Sequence, residues 1–163
     1  MTSEATDQQQ ADFAAIQIVA LGSPHGDDRI AWDAAKQLQG DGWLARSVRK
    51  ISSPWDLFDS LHSGTKVIIL DPCRSGAPVG TLLELREQDL QEYSDRGCST
   101  HGGSISECLG LARALGRNFD EVVVLAVEDD EPSNAGFRDA DQQAVRKLVA
   151  GVRQVLSRWH LID

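Results

Sequence analysis

Five short runs of apolar or alternating residues predict the strands of a sheet, at 16–21, 45–51, 66–70, 81–85 and 121–127. The runs 16–21, 66–70 and 121–127 are rich in Val, Ile and Leu, which is typical of strands buried on both faces of a parallel sheet. Arg and Lys interrupt the run 45–51, as is typical of an edge strand. The run 81–85 follows only a short loop, so it could be antiparallel to its neighbour.

Segments with helical signals lie between and after these runs, at 28–38, 53–64, 104–116 and 144–159. A Ser-Pro pair starts the second segment and a Ser-x-x-Glu capping box starts the third, and both are common at helix N-termini. Gly116 closes the third segment, where glycine commonly ends a helix. Because strands alternate with helices, the sequence predicts a three-layer α/β/α sandwich with a central, mostly parallel sheet of about five strands.

The chain has 163 residues and a formal net charge of -9, with a sequence pI near 4.8. This length suits one compact domain, expected over residues 15–163, because residues 1–14 are low in hydrophobicity and are expected to form a flexible tail. The negative charge argues against binding to nucleic acid or to an anionic membrane. No apolar run approaches the roughly 20 residues of a membrane-spanning helix, and the N-terminus lacks a signal-like apolar segment, so a cytoplasmic protein is predicted.

The three cysteines, Cys73, Cys98 and Cys108, are odd in number and far apart in the sequence. They form no CxxC pair, which argues against both a disulfide framework and a cysteine zinc site. We therefore expect buried or chemically idle thiols.

Candidate ligands stand next to three of the predicted elements. Asp27 and Asp28 follow the first strand, Asp71 follows the third, and His101 precedes a helix. Open α/β sheets place their ligand crevices at the carboxyl ends of strands, so one fold is expected to bring these residues together. Two carboxylates and an imidazole suit a divalent transition metal such as nickel, zinc or manganese. The alternative is that each residue is an independent cap or turn former, with Asp28 as a helix N-cap.

Three stretches of the sequence resemble the hydrogenase maturation proteases, over about residues 16–128. They read VALGSPHGDDRIAWDAA at 19–35, VIILDPCRSGAPVGTL at 67–82 and STHGGSISECLGLARALGRNFDEVVVLAVE at 99–128. Their order, spacing and flanking patterns agree with those of the family. Members of that family are endopeptidases that trim the C-terminal extension of the nickel-iron hydrogenase large subunit.

The resemblance implies a set of site residues. The family's first motif, an acidic pair after a glycine, corresponds to Asp27 and Asp28, its strand-end Asp to Asp71 and its His-Gly element to His101. In the family the second acidic residue of the pair, the strand-end Asp and the His bind the metal. The resemblance thus implies that Asp28, Asp71 and His101 are the metal ligands and the catalytic residues.

The resemblance also implies a function. It is that of a metal-dependent endopeptidase that removes the C-terminal extension of a nickel-iron hydrogenase large-subunit precursor after nickel insertion. The precursor would be both the substrate and the partner. Nickel would be recognised in that substrate, and cadmium or zinc could occupy the same site.

The sequence departs from the family's pattern at four places, one of which is the loop up to Gly26, which is one residue shorter than usual. Ser23 stands where the family usually has Asn, and residues 29–31, Arg-Ile-Ala, replace the usual Gly-Val-Gly. The segment after Glu128 lacks the usual Gly-Leu-Ser helix start and is expected to match poorly. These departures leave a second interpretation open, namely a catalytically silent relative that acts as a binding or scaffold protein in metalloenzyme assembly.

Two other classes of site fit parts of the chain. Cys73 and His101 could be the nucleophile and base of a cysteine hydrolase, although Pro72 and Arg74 give no nucleophile elbow. The loop 22–26 could bind a phosphate at a helix N-terminus, but the two aspartates that follow it would repel an anion.

Overall fold

A computed structural model of the protein describes residues 14–25, 29–95, 105–129, 136 and 138–162. The strands in these ranges are β1 (Ile16–Leu21), β2 (Val48–Ile51), β3 (Lys66–Cys73), β4 (Leu82–Arg86) and β5 (Glu121–Glu128). The α-helices are α1 (Arg29–Gly40), α2 (Leu90–Asp95), α3 (Ile105–Ala114) and α4 (Asp139–Arg158), and 3₁₀ helices lie at Pro54–Ser60 and Glu87–Asp89. Within the described ranges, no helix is both long enough and apolar enough to cross a membrane.

The strands form one sheet in the order β2-β1-β3-β5-β4. β1 is parallel to β2 and β3, and β3 is parallel to β5. β4 is antiparallel to β5. The loop between β3 and β4 is too short for a crossover to the opposite end of the sheet. The chain therefore passes over the end of β5, and β4 starts at the end of the sheet where β3 finishes. The predicted sheet of about five mostly parallel strands is therefore confirmed.

Helices cover both faces of the sheet. α1 and α4 pack on what we call the first face, and the 3₁₀ helix Pro54–Ser60, α2 and α3 pack on the second face. Each face has its own apolar cluster, to which alternate residues of the same strands contribute. The predicted three-layer α/β/α sandwich is confirmed by this arrangement.

Among the described glycines, Gly151 of α4 has the closest neighbours at the position where a Cβ would lie. A Cβ added there would lie 3.0 Å from Leu82 Cδ2 and 3.2 Å from Leu125 Cδ1. The absence of a side chain at this position lets α4 lie directly against β4 and β5 on the first face.

Several bounds differ from those predicted. β2 begins at Val48 rather than at residue 45, and α2 lies in a polar stretch where no element was predicted. Leu90 and Tyr93 of α2 are nevertheless buried against the second face. Gly116 has a φ of 80°, as expected for a glycine that ends a helix. The predicted tail, residues 1–14, lies outside the described residues except for its last position, so its boundary stays a prediction.

Candidate functional site

The carboxyl ends of β1 and β3 lie at a switch point of the sheet. From β1 the chain crosses to β2 on one side, whereas β3 pairs with the opposite side of β1. In open α/β sheets, ligands bind outside the carboxyl ends of the strands at such a point. Asp71, near the carboxyl end of β3, lies at this edge.

Asp71 is part of β3, so the prediction that it follows the strand's end was wrong. β3 continues to Cys73 because its pairing with β5 runs on to Glu128. Its pairing with β1 stops earlier, at Leu70. Pro72 has no N–H to donate, and it lies where β3 has lost one of its two neighbours, a position that tolerates proline in a strand.

The Asp71 side chain is buried on the second face. Alternate residues of a strand point to opposite faces, and Val67, Ile69 and Cys73 all belong to the second-face cluster. The exposed fraction of Asp71 is 0%. Ile105, the first residue of α3, belongs to the same cluster. The Asp71 carboxylate thus lies beneath the helices of the second face, and the start of α3 is part of that layer.

Asp28 and His101 lie outside the described residues, as does the acidic residue before Asp28. Arg29, which follows Asp28 in the sequence, is the first residue of α1, and α3 begins four positions after His101 at Ile105. Among the residues that the structure describes, no group of three His, Cys, Asp or Glu could hold a metal ion. The convergence of Asp28 and His101 on Asp71 therefore stays a prediction.

A second buried carboxylate, that of Glu128, lies at the end of β5. Glu128 pairs with Cys73 across the β3–β5 ladder and is 4% exposed. The Ser75 hydroxyl donates a hydrogen bond of 2.6 Å to Glu128 Oε2, and the backbone N–H groups of Ser75 and Gly76 donate bonds of 2.9 and 3.0 Å to Oε1. The Cys73 thiol donates a weaker bond of 3.5 Å to Oε2.

These hydrogen bonds decide the charge of Glu128. Burial alone would raise the pKa of its carboxyl group, but the bonds from Ser75 and Gly76 outweigh that effect and leave the pKa below its ordinary value. Glu128 is therefore ionised at neutral pH and remains a buried anion near the site edge.

The Cys73 thiol has the properties of an inert group. It is 0% exposed, and burial raises its pKa to about 12, with further increases from the negative charges of Glu128 and Asp71 and an opposing hydrogen bond from Tyr93. A thiol with this pKa is protonated at neutral pH and is a poor nucleophile. The cysteine-hydrolase interpretation is disfavoured on this ground, whereas the expectation of buried thiols is confirmed for Cys73 and Cys108.

Sequence reasoning missed the contributions of Glu128, Ser75 and Tyr93 to this edge. A signal was present for Glu128, because it ends the strongest apolar run of the chain just as Asp71 follows another. Two parallel strands that each carry a carboxylate near the carboxyl end place both groups at one edge of the sheet. Tyr93 had no comparable signal, since the stretch around it is polar.

Solved structures share this fold. The hydrogenase maturating endopeptidase HybD from Escherichia coli is 16% identical, with 88% of this chain and 92% of that chain covered and a TM-score of 0.68. The [NiFe] hydrogenase maturation protease HybD from Thermococcus kodakarensis is 19% identical, with coverage of 86% and 97% and a TM-score of 0.70. HycI from Thermococcus kodakarensis KOD1 is 15% identical, with coverage of 91% and 97% and a TM-score of 0.64. At these identities the likeness shows the fold alone.

The family follows from the sequence itself. The sequence model of the hydrogenase maturation protease family, HycI, matches residues 52–155. The chain therefore belongs to the hydrogenase maturation protease family, and the predicted family and enzyme class, a peptidase, are confirmed. No curated protein sequence matches the chain.

The matched range bears on the individual motifs. It contains Asp71 and His101 and begins after Asp28. It also runs through the segment after Glu128 to residue 155. How well that segment fits the family's helix start stays a prediction.

Proposed function

We propose that this protein is a nickel-recognising endopeptidase that removes the C-terminal extension of a nickel-iron hydrogenase large-subunit precursor after nickel insertion. The observation that carries the proposal is the buried carboxylate of Asp71 at the switch-point edge of the sheet, in a chain of the maturation protease family. The precursor is both substrate and partner in this proposal, and the reaction takes place in the cytoplasm. Neither nucleic acid nor a membrane has a part in it.

The chemistry of the donor set supports the proposal. Asp28, Asp71 and His101 would each supply one ligand, and two carboxylate oxygens with an imidazole nitrogen suit nickel in the precursor or cadmium or zinc in the isolated protein. The charges of Asp71 and Glu128 both act on the Cys73 thiol. Two carboxylates that are shielded from solvent therefore lie at this edge of the sheet, and their negative charge favours the binding of a cation.

In this proposal, nickel is part of the substrate and serves to recognise it. A divalent ion held against the precursor can orient or polarise the scissile carbonyl or activate a water molecule. The protein's own residues would bind the nickel-loaded precursor and bring its scissile bond to the edge where Asp71 lies.

The departure from the family at residues 29–31 does not disturb the fold of α1. Arg29 Nε lies 2.9 Å from Asp33 Oδ2, one helical turn away. Ile30 and Ala31 are buried in the first-face cluster. At the positions where the family usually has Gly-Val-Gly, this chain thus forms an ion pair along α1 and apolar contacts beneath the helix. Both lie on the first-face side of the sheet.

The test begins with calorimetric titration of the metal-free protein with nickel and with cadmium. Wild type is compared with Asp28→Ala, Asp71→Ala and His101→Ala, and with Asp120→Ala as a control. Asp120 is exposed and precedes β5 at the opposite edge of the sheet. We expect about one ion per chain, weaker binding in each of the three site variants and no change in the control.

A cleavage assay then separates the two interpretations of the family resemblance. Wild type is incubated with nickel-loaded and nickel-free precursor, and cleavage of only the loaded form is expected. Stable binding of the loaded precursor without cleavage would instead indicate the catalytically silent relative. Failure to bind metal or precursor would overturn the proposal.

A further inference from the structure

Glu128 holds both ends of the loop 74–81, which joins β3 to β4. Its side chain accepts hydrogen bonds from Ser75 and Gly76 at the start of the loop. Its backbone carbonyl accepts a bond of 2.8 Å from the Gly80 N–H, and its own N–H donates a bond of 2.8 Å to the Thr81 carbonyl at the end of the loop. One residue therefore closes the loop from both sides.

The topology explains why Glu128 has this position. β5 lies between β3 and β4 in the sheet, so the loop that joins those two strands must pass over the carboxyl end of β5. Glu128 is the last residue of β5. The loop begins three positions after Asp71, so the anchored end of the loop is the end nearest to the candidate ligand.

The side chain and the backbone of Glu128 have separable roles. The bonds from Glu128 to Gly80 and Thr81 involve its backbone N–H and carbonyl. Any residue other than proline at this position could form them. Ser75 and Gly76 bond to its carboxylate, and such charge-assisted bonds are among the stronger ones in proteins. Removal of the carboxylate is therefore expected to release the start of the loop and to leave its end in place.

We propose that Glu128 is a positioning residue of the site. Its buried carboxylate fixes the segment from Cys73 to Gly76 beside Asp71 and adds a negative charge that favours a cation there, without being a ligand itself. The inference rests on the proposed function, since the cation and the scissile bond belong to that proposal. It adds to the predicted site a residue on β5, the strand next to the one that carries Asp71.

The test compares Glu128→Ala and Glu128→Gln with a matched control, Glu84→Gln. Glu84 lies on β4 and pairs with Arg158 at 2.5 Å on the surface, so the control removes one negative charge from the same sheet without touching the loop. Five quantities are measured for each protein: the midpoint of thermal unfolding, amide hydrogen exchange at Ser75, Gly76 and Gly80, the Kd for cadmium, and kcat and KM for the nickel-loaded precursor.

We expect Glu128→Ala to accelerate exchange at Ser75 and Gly76 while exchange at Gly80 stays slow. The cadmium Kd should rise and kcat should fall, each by about ten-fold, the lower end of what is common when a residue that supports a metal site is removed. Glu128→Gln keeps one acceptor oxygen but loses the charge, so its exchange should change less than its cadmium Kd. Glu84→Gln should resemble wild type in exchange, cadmium Kd and kinetics, with only a small fall in the unfolding midpoint from the lost surface ion pair.

The outcomes separate the two proposals. If Glu128→Ala lowers the unfolding midpoint but leaves the cadmium Kd and kcat at wild-type values, Glu128 is only structural and the inference is overturned. If wild type binds cadmium but cleaves no precursor, the proposed function fails, and a higher cadmium Kd in both Glu128 variants still supports the positioning role. If wild type binds no cadmium, both proposals fail together.

Discussion

The two faces of the sheet differ in what the same strands bury at the carboxyl edge. On the first face, β3 and β5 end in Pro72 and Val127, both buried and apolar. On the second face, the same strands end in Asp71, Cys73 and Glu128. Successive side chains of a strand point to opposite faces of the sheet. A strand can therefore carry polar side chains on one face without disturbing the apolar packing on the other. We therefore expect the chemistry proposed above at the second-face end of these strands and a supporting role for their first-face end.

The largest expected effect comes from neutralising the second-face carboxylate. Asp71→Asn keeps the shape of the side chain but removes its charge, and we expect the affinity for cadmium to fall by more than about 100-fold, because even partners of metal ligands contribute about 10–100-fold. Cleavage of the nickel-loaded precursor should be lost. Calorimetric titration and a cleavage assay measure the two effects.

Asp120→Asn is the matched control for this substitution, because Asp120 is exposed and precedes β5 at the opposite edge. Its affinity for cadmium should equal that of wild type. Wild-type affinity in Asp71→Asn, with a normal unfolding curve, would show that the second face does not carry the site.

A smaller effect should come from a pair of glycines, one on each face. Gly151→Ala on the first face would place a Cβ 3.0 Å from Leu82 Cδ2. Overpacking of this kind costs about 1–3 kcal/mol, of which the helix preference for alanine offsets about 0.8–1.0 kcal/mol. Gly110→Ala in α3 meets no atom within 4 Å, so only the helix preference for alanine remains, which is worth about 0.8–1.0 kcal/mol. We expect Gly110→Ala to stabilise the protein and Gly151→Ala to destabilise it.

Urea unfolding of both variants measures the change in the free energy of unfolding. Equal stabilisation by the two substitutions would contradict the tight contact between α4 and the sheet.

A third effect concerns pH and the buried thiols of the second face. Burial raises the pKa of Cys73 to about 12 from an ordinary value near 9.0. Above pH 9.0 the unfolded chain loses this proton while the folded chain keeps it. Stability from this group is therefore fully present below pH 9.0 and declines as the pH rises toward 12.

Urea unfolding between pH 8 and pH 10.5 should show this decline, with a shallower slope in Cys73→Ala than in wild type. Cys108→Ala should reduce the slope slightly less than Cys73→Ala near pH 10.5, because burial raises the pKa of Cys108 only to about 11 and the charge of Arg117 opposes the increase. An identical slope in wild type and Cys73→Ala would show that the Cys73 thiol does not ionise as its environment indicates.

The first face and the sheet could be predicted from the sequence to a greater extent than the second face. The apolar runs that form β1, β3 and β5 fix the sheet, because their periodicity depends only on local sequence. α2 was missed because Leu90 and Tyr93 are isolated apolar residues in a polar stretch. Their burial is decided by contacts with distant residues, which periodicity does not report.

The site shows the same limit. Asp71 could be located from its strand and from the family motif, but the strand's extension to Cys73 depends on pairing with β5. Glu128 could be placed at the end of a strand, but its bonds to Ser75 span more than fifty positions and depend on the strand order. Local sequence identifies which residues can bind a cation, whereas the topology decides which other groups surround them.

The smallest expected effect concerns one surface ion pair on each face. Arg113 of α3 makes a bidentate pair with Glu87, with its Nε and Nη2 at 3.2 and 2.9 Å from the two carboxylate oxygens. Arg153 of α4 makes a single contact of 2.9 Å with Asp41. Exposed pairs contribute only about 0.2–1 kcal/mol, and the bidentate geometry should place Glu87→Gln near the upper end and Asp41→Asn near the lower.

Urea unfolding in low salt and in about 1 M salt checks this ranking, since salt should remove most of both contributions. Arg113→Ala should cost more than Glu87→Gln in either condition, because the Arg113 guanidinium also lies 3.6 Å from the centre of the Phe119 ring and donates to the Phe119 carbonyl. That excess comes from the ring contact and the hydrogen bond to Phe119, so it should survive high salt better than the ion pair. If it disappears in salt, Arg113 acts through charge alone, and the second-face helices are held less firmly than their contacts indicate.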